Sequence, residues 1–312
     1  MKQRLIILMI FILMSCSKSH EEKVILYNFP QDIKQAQIEI VSSLSGNQPI
    51  QPIGVQLKAR ATLRERELSR AYLIELLKNL SLQPIEQNYR QKNINPFVDI
   101  LIGPFKGTNI YGILPATVNT NQYIILGAHY DTARDCPGAN DNASAISLLY
   151  GVAKKISEIP SREVNVLIVF FDQEEEDLIG SKAFARYIKK NEYDILSVHT
   201  FDQIAWDKDQ DNAIELELPT AELEEIYKEQ GLKLDIPIHT TKVNSTDHQS
   251  FRDIGFNAVG ITEEFVNKDT SPYKDTPEDT FETVNFDYVE STTNLVYEVI
   301  KTLVTKTKGD GY

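Results

Sequence analysis

The feature that most constrains the fold is an alternation of short apolar runs with longer amphipathic segments. Two runs, residues 123–129 and 164–171, are almost entirely apolar up to their last residues, as strands buried on both faces of a sheet are. Each precedes a segment with helical periodicity, at 144–156 and 181–190. Strands that alternate with helices favour a mostly parallel sheet covered on both faces. The sequence therefore predicts an α/β fold, a three-layer α/β/α sandwich.

Weaker patterns complete the expected order of elements. Further strands are predicted at 85–89, 109–114, 195–201 and 257–261, and further helices at 31–43, 63–80, 221–230 and 286–305. No linker is visible between residues 60 and 305. We therefore expect one catalytic domain at 61–312, preceded by a tether and a helical segment at 17–60.

The first sixteen residues have a different composition. Lys2 and Arg4 precede an apolar run at 5–14, which ends in Ser15 and Cys16. A basic start and a short apolar stretch are typical of a secretory signal, and the run is too short to span a membrane comfortably. Residues 13–16 resemble the lipobox of bacterial lipoproteins. That resemblance implies lipidation of Cys16, a membrane anchor and a place in the cell envelope, facing the periplasm or the outer surface; a plain signal peptide is the alternative.

Charge and cysteine usage exclude two classes. The formal net charge of −13 argues against a nucleic-acid partner, because phosphate binding needs a basic face. Beyond Cys16 the chain has one cysteine, Cys136, so a disulfide framework is impossible. We interpret Cys136 as a bystander thiol, with contact to the site described next as the alternative.

Polar residues capable of chemistry follow the predicted strands. They are His129 and Asp131 after the first buried run, Asp141 before the next helix, Glu174 and Glu175 after the second run, and Asp202 after the third strand. The carboxyl ends of parallel strands meet at one edge, where functional groups gather. Carboxylates crowded together repel one another unless a cation lies among them. The sequence therefore predicts a divalent metal site at this edge.

The residue types suit hydrolysis assisted by zinc. A histidine nitrogen with several carboxylates is a ligand set for zinc, and two zinc ions bridged by one carboxylate form a two-metal hydrolytic site. Bound metal lowers the pKa of water toward about 7, and a free carboxylate accepts the proton. Adjacent Glu174 and Glu175 can divide this work, one remaining free and the other binding metal.

Six motifs together resemble a known family. They are GAHYDT at 127–132, GANDNASA at 138–145, EEEDLIGS at 174–181, FDQ at 201–203, STDHQSF at 245–251 and YKDTPEDT at 273–280. In this order and spacing the chain is similar, over residues 62–303, to the co-catalytic zinc aminopeptidases of the bacterial leucyl aminopeptidase type. These enzymes share their fold with glutaminyl cyclases. The resemblance implies a zinc-exopeptidase-like fold, one or two Zn²⁺ ions and a peptide substrate.

The resemblance also implies a role for each site residue. His129 and Asp202 would bind one metal, Asp141 would bridge the two, and Asp131 would hold the histidine in orientation. Glu175 would bind the other metal.

Glu174 would be the general base, with Asp131 beside it in the catalytic machinery. Family members usually carry a histidine as the last ligand of the second metal, where this chain has Asp275. An all-oxygen second site could weaken zinc there or admit manganese or another hard ion. We favour Asp275 as that ligand over His248, which the family pattern places near the substrate pocket.

The expected activity is hydrolysis of a peptide bond next to a free N-terminus. Alternatives are glutaminyl cyclisation on the same fold, a carboxypeptidase or amidase, and a binding lipoprotein without activity. Side-chain preference, oligomeric state and the number of metals stay open at this point.

One further segment has a metal-binding pattern. Aspartates alternate at Asp207, Asp209 and Asp211, as in the first half of a calcium loop. Asn212 stands where such a loop has glycine, and Leu218 stands where it has glutamate. We interpret the segment as an acidic turn, with a calcium loop as the alternative.

Overall fold

A computed structural model of the chain describes residues 29–92, 100 and 103–306. Its centre is one eight-stranded sheet in the order β1-β2-β4-β3-β5-β8-β6-β7. The strands are β1 Ile85–Gln91, β2 Phe105–Leu114, β3 Gln122–His129, β4 Asn165–Phe171, β5 Asp194–Phe201, β6 Ile214–Glu217, β7 Ile238–Thr241 and β8 Ala258–Thr262. Four of the seven pairings are parallel, and these include every pairing among β4, β3, β5 and β8.

Within the described residues, seven named helices surround the sheet. They are α1 Ile33–Leu44, α2 Leu63–Asn79, α3 Ala145–Ser157, α4 Ile179–Lys190, α5 Ala221–Leu234, α6 His248–Arg252 and α7 Phe286–Thr305. An irregular turn, Ala139–Ser144, precedes α3, and a 3₁₀ turn, Phe281–Thr283, precedes α7. Local sequence fixes several helix starts: Thr62 and Glu65 form a reciprocal capping box before α2. Asn285 accepts hydrogen bonds from two backbone N–H groups at the start of α7.

The central strands are buried on both faces, as their apolar runs predict. Along β4, Val166, Ile168 and Phe170 belong to one hydrophobic cluster, whereas Leu167 and Val169 belong to a second. The first cluster includes residues of α1, α3 and α7, and the second includes residues of α4 and α6. Alternate side chains of one strand thus contact different helix layers. The α/β/α sandwich is confirmed.

The predicted elements are found within a few residues of their expected bounds, but three short ones were missed: β6, β7 and α6. Strand β6 has four residues, Ile-Glu-Leu-Glu, in which apolar and polar residues alternate, yet all four are buried. Strand β7 has four residues, Ile-His-Thr-Thr, and none is fully buried. With four residues each, both strands are at the lower limit of length at which a strand pattern can be recognised.

Three expectations concern the amino terminus. The predicted signal segment, the tether that follows it and the lipidation site Cys16 fall outside the described residues. Among the helices of the described ranges, none combines the length and the apolar character needed to cross a membrane.

Candidate metal centre

Three side chains from different segments meet at the carboxyl edge of the sheet. His129 is the last residue of β3, Asp141 lies in the turn 139–144, and Asp202 directly follows β5. His129 Nε2 lies 3.2 Å from Asp141 Oδ1 and 3.5 Å from Asp202 Oδ1. All three residues are buried. The structure therefore brings together the three residues that the sequence assigns to the first metal.

These atoms fit a cation. Within the described residues, His129 Nε2, Asp141 Oδ1 and Asp202 Oδ1 are buried and have no hydrogen-bond partner, although they face one another. A buried polar atom left unsatisfied costs about 1–3 kcal/mol, and more for a charged group. Burial lowers the pKa of His129, but Glu174, Asp131, Asp141 and Asp202 together raise it well above its usual range. The carboxylates thus favour a positive charge at this point.

Asp131 orients the histidine and the loop that follows β4. His129 Nδ1 lies 3.2 Å from the Asp131 carbonyl oxygen and 3.6 Å from its Oδ1. A proton on Nδ1 leaves Nε2 free as a metal ligand. The Asp131 carboxylate also accepts hydrogen bonds from the backbone N–H of Glu174, at 2.9 Å, and of Glu175, at 3.2 Å. One carboxylate therefore aligns residues predicted for both metals.

A second group of carboxylates adjoins the first and shares Asp141. Asp141, Glu175 and Asp275 each offer an oxygen, and the three oxygens lie within 4.8 Å of one another. Burial and then repulsion from Asp141 raise the pKa of Glu175 to about 8. Lys274 Nζ lies 3.9 Å from Asp141 Oδ2, so an ammonium group already faces this second group. The shared aspartate is the arrangement that a bridging ligand requires.

Glu174 lies beside both groups and lines a cleft of about 650 Å³. Burial raises the pKa of this carboxyl well above its usual range. Repulsion from Asp202, Asp247 and Asp131 adds to the rise, although His129 acts in the opposite direction. A raised pKa makes a carboxylate a stronger proton acceptor, which is what a general base requires. The cleft gives a substrate access to this carboxyl.

Two buried acids that sequence reasoning left without a role fix the turn 139–144. Asp279 Oδ1 and Oδ2 accept hydrogen bonds, each of 2.9 Å, from the backbone N–H groups of Asn140 and Asp141. Glu263 Oε2 accepts a 2.8 Å hydrogen bond from the Asn140 amide. Asp279 belongs to the quoted motif at 273–280, and Glu263 directly follows β8, so both positions carried a signal.

Arg60 was also missed, because it lies before the first motif. Its side chain is fully buried and donates to the carbonyl oxygens of Leu44, Tyr130, Pro137 and Gly138, at 2.7–2.9 Å. It thereby fixes the loop that joins β3 to the turn 139–144.

Two other sequence assignments lie near the centre without entering it. Cys136 is buried, belongs to neither ligand group among the described residues, and has its pKa raised to about 12 by burial. His248 is fully buried at the start of α6, and its Nδ1 lies 2.8 Å from Thr246 Oγ1 and 3.3 Å from Glu217 Oε2. Its predicted contact with substrate stays a prediction.

Comparison of the sequence with known proteins finds a peptidase family and an aminopeptidase relative. The model of "Peptidase family M28" matches residues 109–300. The chain is 26% identical to aminopeptidase YwaD of Bacillus subtilis over 208 residues, which cover 62% of this chain and 45% of that protein. The chain thus spans less than half the length of this curated relative.

Solved structures resemble the fold. A zinc aminopeptidase from Bacillus subtilis has a TM-score of 0.75 at 14% identity, covering 91% of this chain and 98% of that one. A Bacteroides thetaiotaomicron glutaminyl cyclase has a TM-score of 0.68 at 17% identity, covering 88% and 99%. Hydrolase and cyclase folds are therefore both represented among similar structures.

Proposed function

This chain belongs to peptidase family M28, and we propose that it is a metal-dependent aminopeptidase that uses Zn²⁺. The observation that carries the proposal is the pair of ligand groups, His129 with Asp202 and Glu175 with Asp275, which share Asp141. Glu175 and Asp275 of the second group line the same cleft as Glu174. The aminopeptidase relative, which is similar over 208 residues, supports the choice of reaction.

The ligand atoms fit zinc at the first group more closely than at the second. His129, Asp141 and Asp202 supply one nitrogen and two carboxylates, a set that suits zinc. Asp141, Glu175 and Asp275 supply oxygens alone, which also suit manganese and other hard ions. When bound, the metal polarises the scissile carbonyl group and lowers the pKa of water.

Glu174 would move the proton. Its carboxylate would accept a proton from the attacking water and then donate it to the nitrogen of the leaving amine. Partial burial and neighbouring carboxylates raise its pKa, which favours the protonated state between these two transfers. The backbone N–H of Glu174 bonds to Asp131, so the base and the His129 ligand keep a fixed relative position.

The sequence relative, which is an aminopeptidase, favours an aminopeptidase over a carboxypeptidase. The cleft itself carries charges of both signs, since Lys182 and Lys274 line it together with Glu174 and Asp253.

The test compares Glu174→Gln with Glu176→Gln, an exposed neighbour that undergoes the same chemical change. Both proteins are assayed on aminoacyl-anilides and on N-terminal glutaminyl peptides, and their metals are counted by elemental analysis. We expect Glu174→Gln to lose about 10²–10⁴-fold in kcat with unchanged metal content, and Glu176→Gln to retain activity. Cyclisation of glutaminyl peptides without anilide hydrolysis would reassign the enzyme as a cyclase. Wild-type protein that binds no metal and turns over neither substrate would leave a binding protein on a peptidase fold.

We further propose that the protein is a lipoprotein of the cell envelope, anchored to the membrane through Cys16. The basic, apolar and Ser15-Cys16 segments at the amino terminus support this proposal. Labelled palmitate supplied to growing cells should enter the wild-type protein and the Cys136→Ser variant but not Cys16→Ser. Equal labelling of Cys16→Ser would contradict the anchor.

A further inference from the structure

We propose that the loop between β5 and β6 and the segment after β8 together bind a calcium ion through Asp209, Asp211 and Glu264. These three carboxylates belong to neither ligand group of the catalytic centre. The proposal does not depend on peptidase activity.

The geometry of the three carboxylates fits one cation. Asp209, Asp211 and Glu264 each offer an oxygen, and these oxygens lie within 4.8 Å of one another. A neighbouring group of Asp207, Asp209 and Asp269 has the same property and shares Asp209. Five acids are thus gathered where two segments meet, and their mutual repulsion favours a bound cation.

Glu264 is the strongest indication of a ligand. The residue is 2% exposed. Its Oε1 lies 2.9 Å from His239 Nε2 and accepts a hydrogen bond from the Asn267 amide. Its Oε2 is buried and, within the described residues, receives no hydrogen bond. Burial raises the pKa of Glu264, and Asp211 and Asp209 contribute to the rise. A cation would bind where a buried carboxylate with one unpaired oxygen belongs to a group with two other carboxylates.

Few basic side chains are placed to neutralise these acids. Across the described parts of the chain, no lysine or arginine forms an ion pair with Asp207, Asp209, Asp211 or Asp269. Glu264 pairs with the half-buried His239. Because every ligand atom is an oxygen, the chemistry favours calcium over zinc.

Tertiary structure supplies what the sequence motif lacks. In a calcium loop the twelfth position carries a glutamate, but here that position is Leu218. Glu264, from the segment after β8, brings a buried carboxylate to Asp209 and Asp211 instead. Asp269, from the same segment, accepts hydrogen bonds from the backbone N–H groups of Lys208, at 2.8 Å, and Asp209, at 3.1 Å. The loop is therefore already folded around the second segment.

Calcium binding would also affect the substrate cleft, because a chain of contacts joins the proposed site to the cleft wall. The Trp206 indole donates a 2.9 Å hydrogen bond to Asp269 Oδ1, and its ring contacts that of Tyr273 edge-on at 5.7 Å. Tyr273 precedes Lys274 and Asp275, which line the cleft. An ion that holds the loop against the second segment would therefore stabilise one wall of the cleft.

The chain's single tryptophan provides the assay. Trp206 lies in the same loop as the proposed ligands, so excitation of its indole should sensitise the luminescence of bound Tb³⁺. The zinc-loaded protein is titrated with Tb³⁺, and Ca²⁺ is then added as the competitor. We expect Ca²⁺ to displace Tb³⁺ and to raise the Tm of the wild-type protein. An Asp209→Asn/Asp211→Asn double variant should bind Ca²⁺ at least about tenfold more weakly, because affinity depends on ligand charge.

The matched control is Asp194→Asn/Asp235→Asn, which removes two charges from exposed positions elsewhere; it should behave as wild type. Glu264→Gln, which keeps the side-chain volume, tests the site if the double variant does not fold. Luminescence that Ca²⁺ does not compete, or that persists undiminished in the ligand variants, would overturn the proposal. Loss of the signal in Asp141→Asn instead would overturn it as well, because Tb³⁺ would then report the catalytic centre.

Discussion

Replacing Asp279 with asparagine should weaken metal binding, although Asp279 is not itself a predicted metal ligand. Asp279 is fully buried, and its two carboxylate oxygens accept 2.9 Å hydrogen bonds from the N–H groups of Asn140 and Asp141. Asparagine has one acceptor oxygen, and its NH₂ group would face the second N–H. The substitution therefore removes one charge-assisted bond and leaves a donor facing a donor.

The expected magnitude follows from these two bonds. A hydrogen bond to a charged group contributes about 1.5–3 kcal/mol, and an unsatisfied buried donor costs about 1–3 kcal/mol. The substitution would thus destabilise the native conformation of the turn that holds Asp141 by a few kcal/mol. Loss of groups that orient metal ligands lowers metal affinity by about 10–100-fold. That range corresponds to about 1.4–2.7 kcal/mol, so the lost bond is large enough to account for it.

The assay is competition for zinc between the protein and a chromophoric chelator. Glu278→Gln is the matched control, because Glu278 is the exposed neighbour of Asp279 and undergoes the same change from acid to amide. Asp279→Asn should have a higher Kd for zinc, and excess zinc should restore most of its activity. A folded Asp279→Asn protein with the zinc affinity of wild type would refute the reasoning. So would a loss of activity that saturating zinc leaves unchanged.

Three further predictions concern the second metal, pH and the loop held by Arg60. Asp275→His adds a nitrogen donor to the second ligand group, so metal analysis should find zinc there more completely than in wild type. Burial raises the pKa of Glu263 to about 8; the folded state therefore keeps a proton that the unfolded state releases, and the free energy of unfolding should fall as pH rises from about 5 to 8. The free energy of unfolding of Glu263→Gln, measured by chemical denaturation, should rise relative to that of wild type by roughly 1–3 kcal/mol between pH 5 and 8. A difference between the two proteins that does not change with pH would contradict this prediction. Arg60→Met leaves four carbonyl groups without their donor and should cost about 3 kcal/mol or more, whereas Arg64→Met, at an exposed position, should cost little in the same measurement.

The sequence alone predicted the parts that follow from local pattern. The buried runs of β3 and β4 are recognisable because strands covered on both faces need apolar side chains at every position. His129, Asp141, Glu174, Glu175 and Asp202 could be selected because they follow strands or precede a helix, where a parallel sheet gathers its functional groups. These signals depend on residues close together along the chain, and their roles as ligands and base stay predictions.

Only the tertiary structure decided which distant groups support that centre. Asp279 lies 139 residues from Asn140, and Glu263 lies 123 residues from it, so neither partner has a local periodic signature. Arg60 and Glu264 are also buried; the carbonyl groups that Arg60 contacts, and the aspartates grouped with Glu264, lie in other segments. Charge and residue type are visible in the sequence, but burial arises only when the segments pack together. Burial is what makes an unpaired carboxylate energetically costly and lets two ligand groups share one aspartate.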